Sequence, residues 1–178
     1  MFSLLRASAV LAAALACVPA QAQSLQPASR GAFGVQYGMD GDLHRLTLNY
    51  ETAPVWSYRL GGTRIDLVGE FGVSHWRLRD NDTGRSRLWQ ASAIPMFQWW
   101  LTERFFVEAG IGATVFNHTS IGEKNISTAF QFGDHIGVAY QFTDNVRFGI
   151  RASHFSNAGI KRPNPGLNSY QAGLTMRF

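Results

Sequence analysis

Two side chains in the stretch Asn145 to Asn157, NVRFGIRASHFSN, have the chemistry of a hydrolase. His154 carries an imidazole that takes a proton near neutral pH, and Ser156 carries a hydroxyl that attacks an acyl carbon once a base removes its proton. At the strand period of two, Val146, Phe148, Ile150 and Ala152 share one face, and continuing it puts His154 and Ser156 on that same apolar face. Residues two apart on a strand stand roughly 6.5 to 7 Å apart along the backbone, so an imidazole leaning toward the serine can reach it. If the face is turned to a membrane, such a couple can meet only a substrate that is itself a lipid. An isolated His-x-Ser is a weak signal, and its weight comes from the elements that carry it.

The chain of 178 residues is sized for one domain. Its start, MFSLLRASAVLAAALACVPAQAQ, has a basic Arg6, an apolar run and the small-x-small site Ala20-Gln21-Ala22. Residues 1–22 therefore read as a signal peptide cut before Gln23, leaving residues 23–178 as a single domain. Cys17 stands in a poor lipobox and leaves with the signal, so the mature chain has no thiol, disulfide or cysteine metal ligand. No later stretch approaches the roughly 20 continuous apolar residues of a membrane helix. With 18 Gly, 13 Phe, 5 Trp, 5 Tyr and only 16% charged residues, the composition suits closely packed strands with aromatic girdles. The pI near 9.6 comes from singly scattered cations, which speaks for anionic lipid and against a nucleic-acid partner.

Alternation predicts eight strands: Gly31 to Met39, Leu43 to Thr52, Arg64 to Leu78, Arg87 to Trp100, Arg104 to Phe116, Ser127 to Phe142, Asn145 to Asn157 and Leu167 to Phe178. Ile65, Leu67, Phe71 and Val73 alternate with Asp66, Glu70 and Ser74, and Tyr170, Ala172, Leu174, Met176 and Phe178 with Ser169, Gln171, Gly173, Thr175 and Arg177. The expected fold class is all-β, an eight-stranded antiparallel transmembrane β-barrel. Its narrow interior would be plugged by Asp66, Glu70 and Glu108 pairing with Arg147, Arg151 and Arg177. A lipocalin-like soluble barrel inverts both faces, and the aromatic content and terminal Phe178 favour the membrane form. With both termini in the periplasm, His154 and Ser156 lie at the extracellular rim, toward the outer leaflet.

The segment HFSNAGIKRPNPGLNSY, in an exported chain of this pattern, resembles the lipid A 3-O-deacylase (PagL) family of outer-membrane esterases; the close match covers Ser153 to Tyr170. The resemblance implies a bacterial outer-membrane enzyme that acts on lipid A in lipopolysaccharide, removing the ester-linked 3-hydroxyacyl chain at the 3-position without metal or diffusible cofactor. It also implies that His154 is the general base, Ser156 the nucleophile, and Asn164, with a backbone amide near Ala158 or Gly159, the oxyanion stabiliser. Lys161 and Arg162 in the same segment suit phosphorylated head groups.

This sequence departs from the family at Asn168, which stands where the family carries a glutamate. An amide can orient an imidazole through its carbonyl oxygen but supplies no charge. The alternative acid is Asp134: if Thr143, Asp144 and Asn145 form the turn and Phe142 opposes Val146, Asp134 falls opposite His154 on the neighbouring strand.

The remaining histidines, His44, His75, His118 and His135, lack ligand spacing, so no metal is expected. Trp56, Trp89, Trp99 and Trp100 read as interfacial anchors. A homodimer could form through any of the aromatic faces, none of which stands out. Two other functions compete with the ester hydrolase: a non-enzymatic barrel that anchors or adheres, and a secreted lipid carrier. Polar groups on a lipid-facing wall favour the hydrolase, since a purely structural barrel gains nothing from them.

Overall fold

The computed structural model describes residues 31–79 and 84–178; the expected signal peptide, its cleavage site and Cys17 lie outside the described residues. Eleven strands run in chain order: β1 Ala32–Asp40, β2 Leu43–Glu51, β3 Trp56–Leu60, β4 Thr63–Leu78, β5 Arg87–Trp100, β6 Phe105–Phe116, β7 Ser120–Ile121, β8 Lys124–Asn125, β9 Phe130–Gln141, β10 Val146–Ser156 and β11 Leu167–Arg177. The main sheet has the order β2-β1-β11-β10-β9-β6-β5-β4-β3 and closes through β2 and β4, all antiparallel. β2 and β3 lie end to end along β4, from Leu43↔Leu78 to Glu51↔Glu70 and then from Trp56↔Leu67 to Leu60↔Thr63. They form one stave, interrupted where Pro54 has no N–H to give to a ladder, and eight staves close the barrel.

The eight expected strands all appear as staves. Two elements were not foreseen, β3 and the small β7–β8 hairpin above the barrel. β9 begins at Phe130 and not at Ser127, because Ser127 adopts φ 64° and breaks the extended run.

Alternation assigns the two faces. Phe33, Val35, Leu48, Phe71, Val73, Ile136, Ile150, Leu174 and Met176 cover the outer wall. Inside, Arg151 gives two hydrogen bonds to Glu70, at 2.6 and 2.9 Å, and a third to Glu108 at 2.8 Å. Arg147 grips Glu51 with bonds of 3.1 and 2.6 Å, and Gln98 adds a third donor at 2.9 Å. Beside Glu108, Arg147 and Arg151 remains a void of about 20 Å³, room for about one water. The interior is a plug.

Four details differ from expectation. Arg147 takes Glu51, which was not among the foreseen acids, and Asp66 pairs with Arg64 at 3.0 Å. Arg177 lies over the Trp100 ring at 5.7 Å and forms no ion pair among the described residues. Trp100 itself is 4% exposed and packs inside against Phe106, so it is not an interfacial anchor. Its neighbour Trp99 faces outward, and successive residues of one strand cannot both face lipid.

Candidate active site on the outer wall

His154 and Ser156 end β10, and both lie on the outer face, the former exposed and the latter half-buried. What fixes them is the residue between. Phe155 is fully buried inside the barrel, edge-on to Trp76 at 5.5 Å and to Phe116 at 6.0 Å, with the Arg45 guanidinium 4.7 Å from its ring centre. An anchored inward ring fixes the strand's pleat, so its neighbours must project outward.

The register sets His154 between Asn168 on β11 and Asp134 on β9, and sets Ser156 opposite Phe132. The β9–β10 pairing is the one expected from the Thr143–Asn145 turn, with Phe142 N donating to Val146 O at 2.9 Å. The His154 Nδ1–H donates to Asn168 Oδ1 at 2.7 Å. With that bond the neutral ring carries its proton on Nδ1 and its lone pair on Nε2, the tautomer a general base uses. The Ser156 hydroxyl makes no hydrogen bond among the described residues, and neither does the half-buried Asp134 carboxylate.

The loop after β10 folds back over this pair around Asn157, a residue the sequence reading passed over. Its side chain donates to Ile126 O at 3.2 Å and Lys161 O at 2.9 Å, and accepts from the Gly159 amide at 2.9 Å. Its amide donates to Asn164 Oδ1 at 3.2 Å, and its carbonyl accepts from Ile160 N at 3.0 Å. Ala158 and Gly159, at φ 53° and 81°, form the centre of this tight turn. Ser127 clasps the loop from the other side, its hydroxyl donating to Pro163 O at 2.6 Å.

Among the expected oxyanion donors, the Gly159 amide is engaged by Asn157, whereas the Ala158 amide and Asn164 Nδ2 carry no bond among the described residues. Gly159, Arg162, Pro163 and Asn164 line a surface depression on this loop. Gly166, at φ 67°, completes the site: a Cβ there would stand 2.6 Å from Cε1 and 3.1 Å from Nε2 of His154, so only glycine lets the loop lie against the imidazole.

An apolar outside, ion-paired carboxylates inside and the polar couple His154 and Ser156 on the outer wall fit an outer-membrane β-barrel enzyme. The sequence profile of the family described as Lipid A 3-O-deacylase (PagL) matches residues 42–177. Lipid A deacylase PagL of Bordetella bronchiseptica is 52% identical over 171 residues, 95% of this chain and 93% of that protein. The Pseudomonas aeruginosa protein of the same name is 33% identical over 136 residues, covering 75% of this chain and 76% of its own. The crystal structure of the outer-membrane enzyme PagL superposes with a TM-score of 0.72 at 25% identity, over 82% of this chain and 98% of that one. The Yersinia pestis outer-membrane protein Ail shares the fold alone, with a TM-score of 0.50 at 12% identity, over 84% of this chain and 100% of Ail. The chain belongs to the lipid A 3-O-deacylase (PagL) family.

Proposed function

We propose that this protein, as a mature chain of residues 23–178, hydrolyses the ester that links a 3-hydroxyacyl chain to the 3-position of lipid A, working in the outer leaflet of the bacterial outer membrane. The observation that carries the reading is the couple of His154 and Ser156 on the lipid-facing wall, with the imidazole held through Nδ1 by Asn168 at 2.7 Å. A polar pair there is costly in lipid unless a polar substrate centre reaches it, and a lipid ester is such a centre.

In the proposed reaction Nε2 of His154 takes the Ser156 proton as Oγ bonds to the ester carbon. The carbonyl oxygen becomes an oxyanion, met by Asn164 Nδ2 and the Ala158 amide, both without a partner among the described residues. The tetrahedral adduct then expels the sugar oxygen, which leaves with the proton from Nε2 as the 3-hydroxyl. Water, deprotonated by the same nitrogen, attacks the acyl-serine and releases the 3-hydroxy fatty acid, returning the proton to Ser156. Asn168 fixes the ring and its tautomer, while Asp134, opposite His154 in register, supplies the negative charge that an amide lacks.

Mass spectrometry of lipid A from cells expressing the wild type and Ser156→Ala tests the reading. Loss of one 3-hydroxyacyl chain with the wild type alone is expected. Unmodified lipid A in both, with the wild-type barrel folded in the outer membrane, would overturn it.

A further inference from the structure

We propose that the wall formed by β2, β4 and β5 carries a second, non-catalytic site that binds the phosphates of a lipid A molecule, centred on Arg77 and Arg87 with His44 beside them. The registers place these three side by side at one rim: His44 opposes Arg77, and Arg77 opposes Arg87. All three lie on the outward face, continuing the parity of Leu46, Val73, His75 and Trp89 one step closer to the membrane. His75 and Trp89 pack at 4.8 Å immediately below the two arginines, so the guanidiniums begin where an aromatic girdle ends. That is the depth of lipid phosphates, given the orientation proposed above.

Like charges directly opposed across two strands weaken a sheet, so the arrangement costs the fold something unless an anion sits between them. Neither arginine has an ion pair or hydrogen bond from its side chain among the described residues. In sequence the segment from Arg77 to Arg87 holds four arginines and two aspartates, and so keeps a net positive charge with its own acids counted. The described ends of that segment are fixed in place: Leu78 N donates to Ser86 O at 2.8 Å, Arg79 N to Asp42 O at 2.9 Å and Gly122 N to Arg85 O at 2.7 Å. Tyr37 hydrogen-bonds His44 Nδ1 and so holds the imidazole beside them. Guanidinium pairs suit the planar, multidentate recognition of phosphate, and several of them together suit a lipid with more than one phosphate.

This site is not part of the catalytic one. In the closed ring β10 reaches β4 through β11, β1 and β2 on one side and through β9, β6 and β5 on the other, so Arg77 sits diametrically across the barrel from His154. A lipid held there cannot present its ester to Ser156.

The test is binding, not turnover. Mature Ser156→Ala protein, refolded in a phosphate-free maltoside, is titrated with bis-phosphorylated lipid A and followed by native mass spectrometry and melting temperature. Two lipids retained per chain are expected, falling to one when Arg77→Ser and Arg87→Ser are added. Without lipid the added changes leave the melting temperature equal or higher, because they relieve repulsion; with lipid they remove part of its rise. Dephosphorylated lipid A gives no second bound molecule to either protein. Equal counts in both proteins, equal retention of the dephosphorylated lipid, or equal displacement by phosphatidylglycerol would overturn the site. Should the double variant fail to refold, Arg87→Gln alone carries the same comparison. Because no hydrolysis is read, failure here leaves the esterase reading untouched, and failure of that reading leaves this one testable.

Discussion

Arg151 and His154 stand three residues apart on β10 and face opposite surroundings. Arg151, inside, uses Nε, Nη1 and Nη2 on two carboxylates. Every buried carboxylate among the described residues, Glu51, Asp66, Glu70 and Glu108, likewise has a cation within hydrogen-bond distance. Outside, His154 has one bond, and Ser156 and Asp134 have none among the described residues. Both groups sit in a wall only one strand thick, so the difference between the buried carboxylates and the outer couple is one of ion pairing. Ion-paired groups hold the barrel shut; a polar couple that keeps unpaired donors and acceptors on the outer face is the arrangement proposed to act on a substrate.

The comparison predicts that the two regions fail in different ways. His154→Ala should cut lipid A deacylation by about 10⁴-fold, the scale seen when a triad loses its base, with thermal unfolding of the barrel unchanged. Arg151→Ala should do the reverse. Leaving Glu70 and Glu108 buried without their cation costs about 3 to 5 kcal/mol, read as a lower urea midpoint, while the fraction that folds keeps most of its activity. If Arg151→Ala abolished turnover in a barrel of unchanged stability, the division between a structural inside and the proposed catalytic site outside would be lost.

A smaller effect separates the two flanks of the imidazole. Asp134→Asn removes a charge next to a developing imidazolium and should lower kcat by roughly 10- to 100-fold, whereas Asn168→Ala removes one neutral hydrogen bond and should lower it by about tenfold. Wild-type rates in both Asp134→Ala and Asn168→Ala would mean that neither residue orients His154. Asn168→Glu sharpens the point: if Asp134 already supplies the charge, restoring the family's acid gains less than about tenfold in kcat.

How much of this was legible in the sequence depends on the range of the interactions. The outward parity of His154 and Ser156 follows from eleven residues of period-two alternation, and the opposition of Asp134 to His154 follows from a three-residue turn; both are local. Glu51 as the partner of Arg147 is 96 residues away in the chain and depends on barrel closure, which no window of sequence displays. Trp99 and Trp100 look alike as a pair of indoles, and only strand parity sends the second inside. β3 was hidden because Pro54 reads as an end to the second strand, when it only interrupts a stave that resumes along β4. Asn157 was missed for the same reason as Glu51: a turn asparagine is commonplace, and its bond to Ile126 O, 31 residues upstream, appears only in three dimensions.

Gly166 gives the finest test, because it touches His154, the proposed base, without doing chemistry itself. An added methyl would stand 2.6 Å from His154 Cε1, closer than real contacts allow, so either the loop retreats or the ring swings off Asn168 Oδ1. The φ of 67° adds about 1 to 2 kcal/mol of strain for alanine, a stability loss read in urea. If the ring swings, Gly166→Ala should lower kcat about tenfold with KM unchanged, the value of the single bond to Asn168. The double variant with Asn168→Ala then decides the route. Two changes that break the same bond do not add, so the pair should be no slower than Asn168→Ala alone. Fully additive losses would instead place the effect of Gly166 in the loop that carries Asn164, moving the fault from the base to the oxyanion donor.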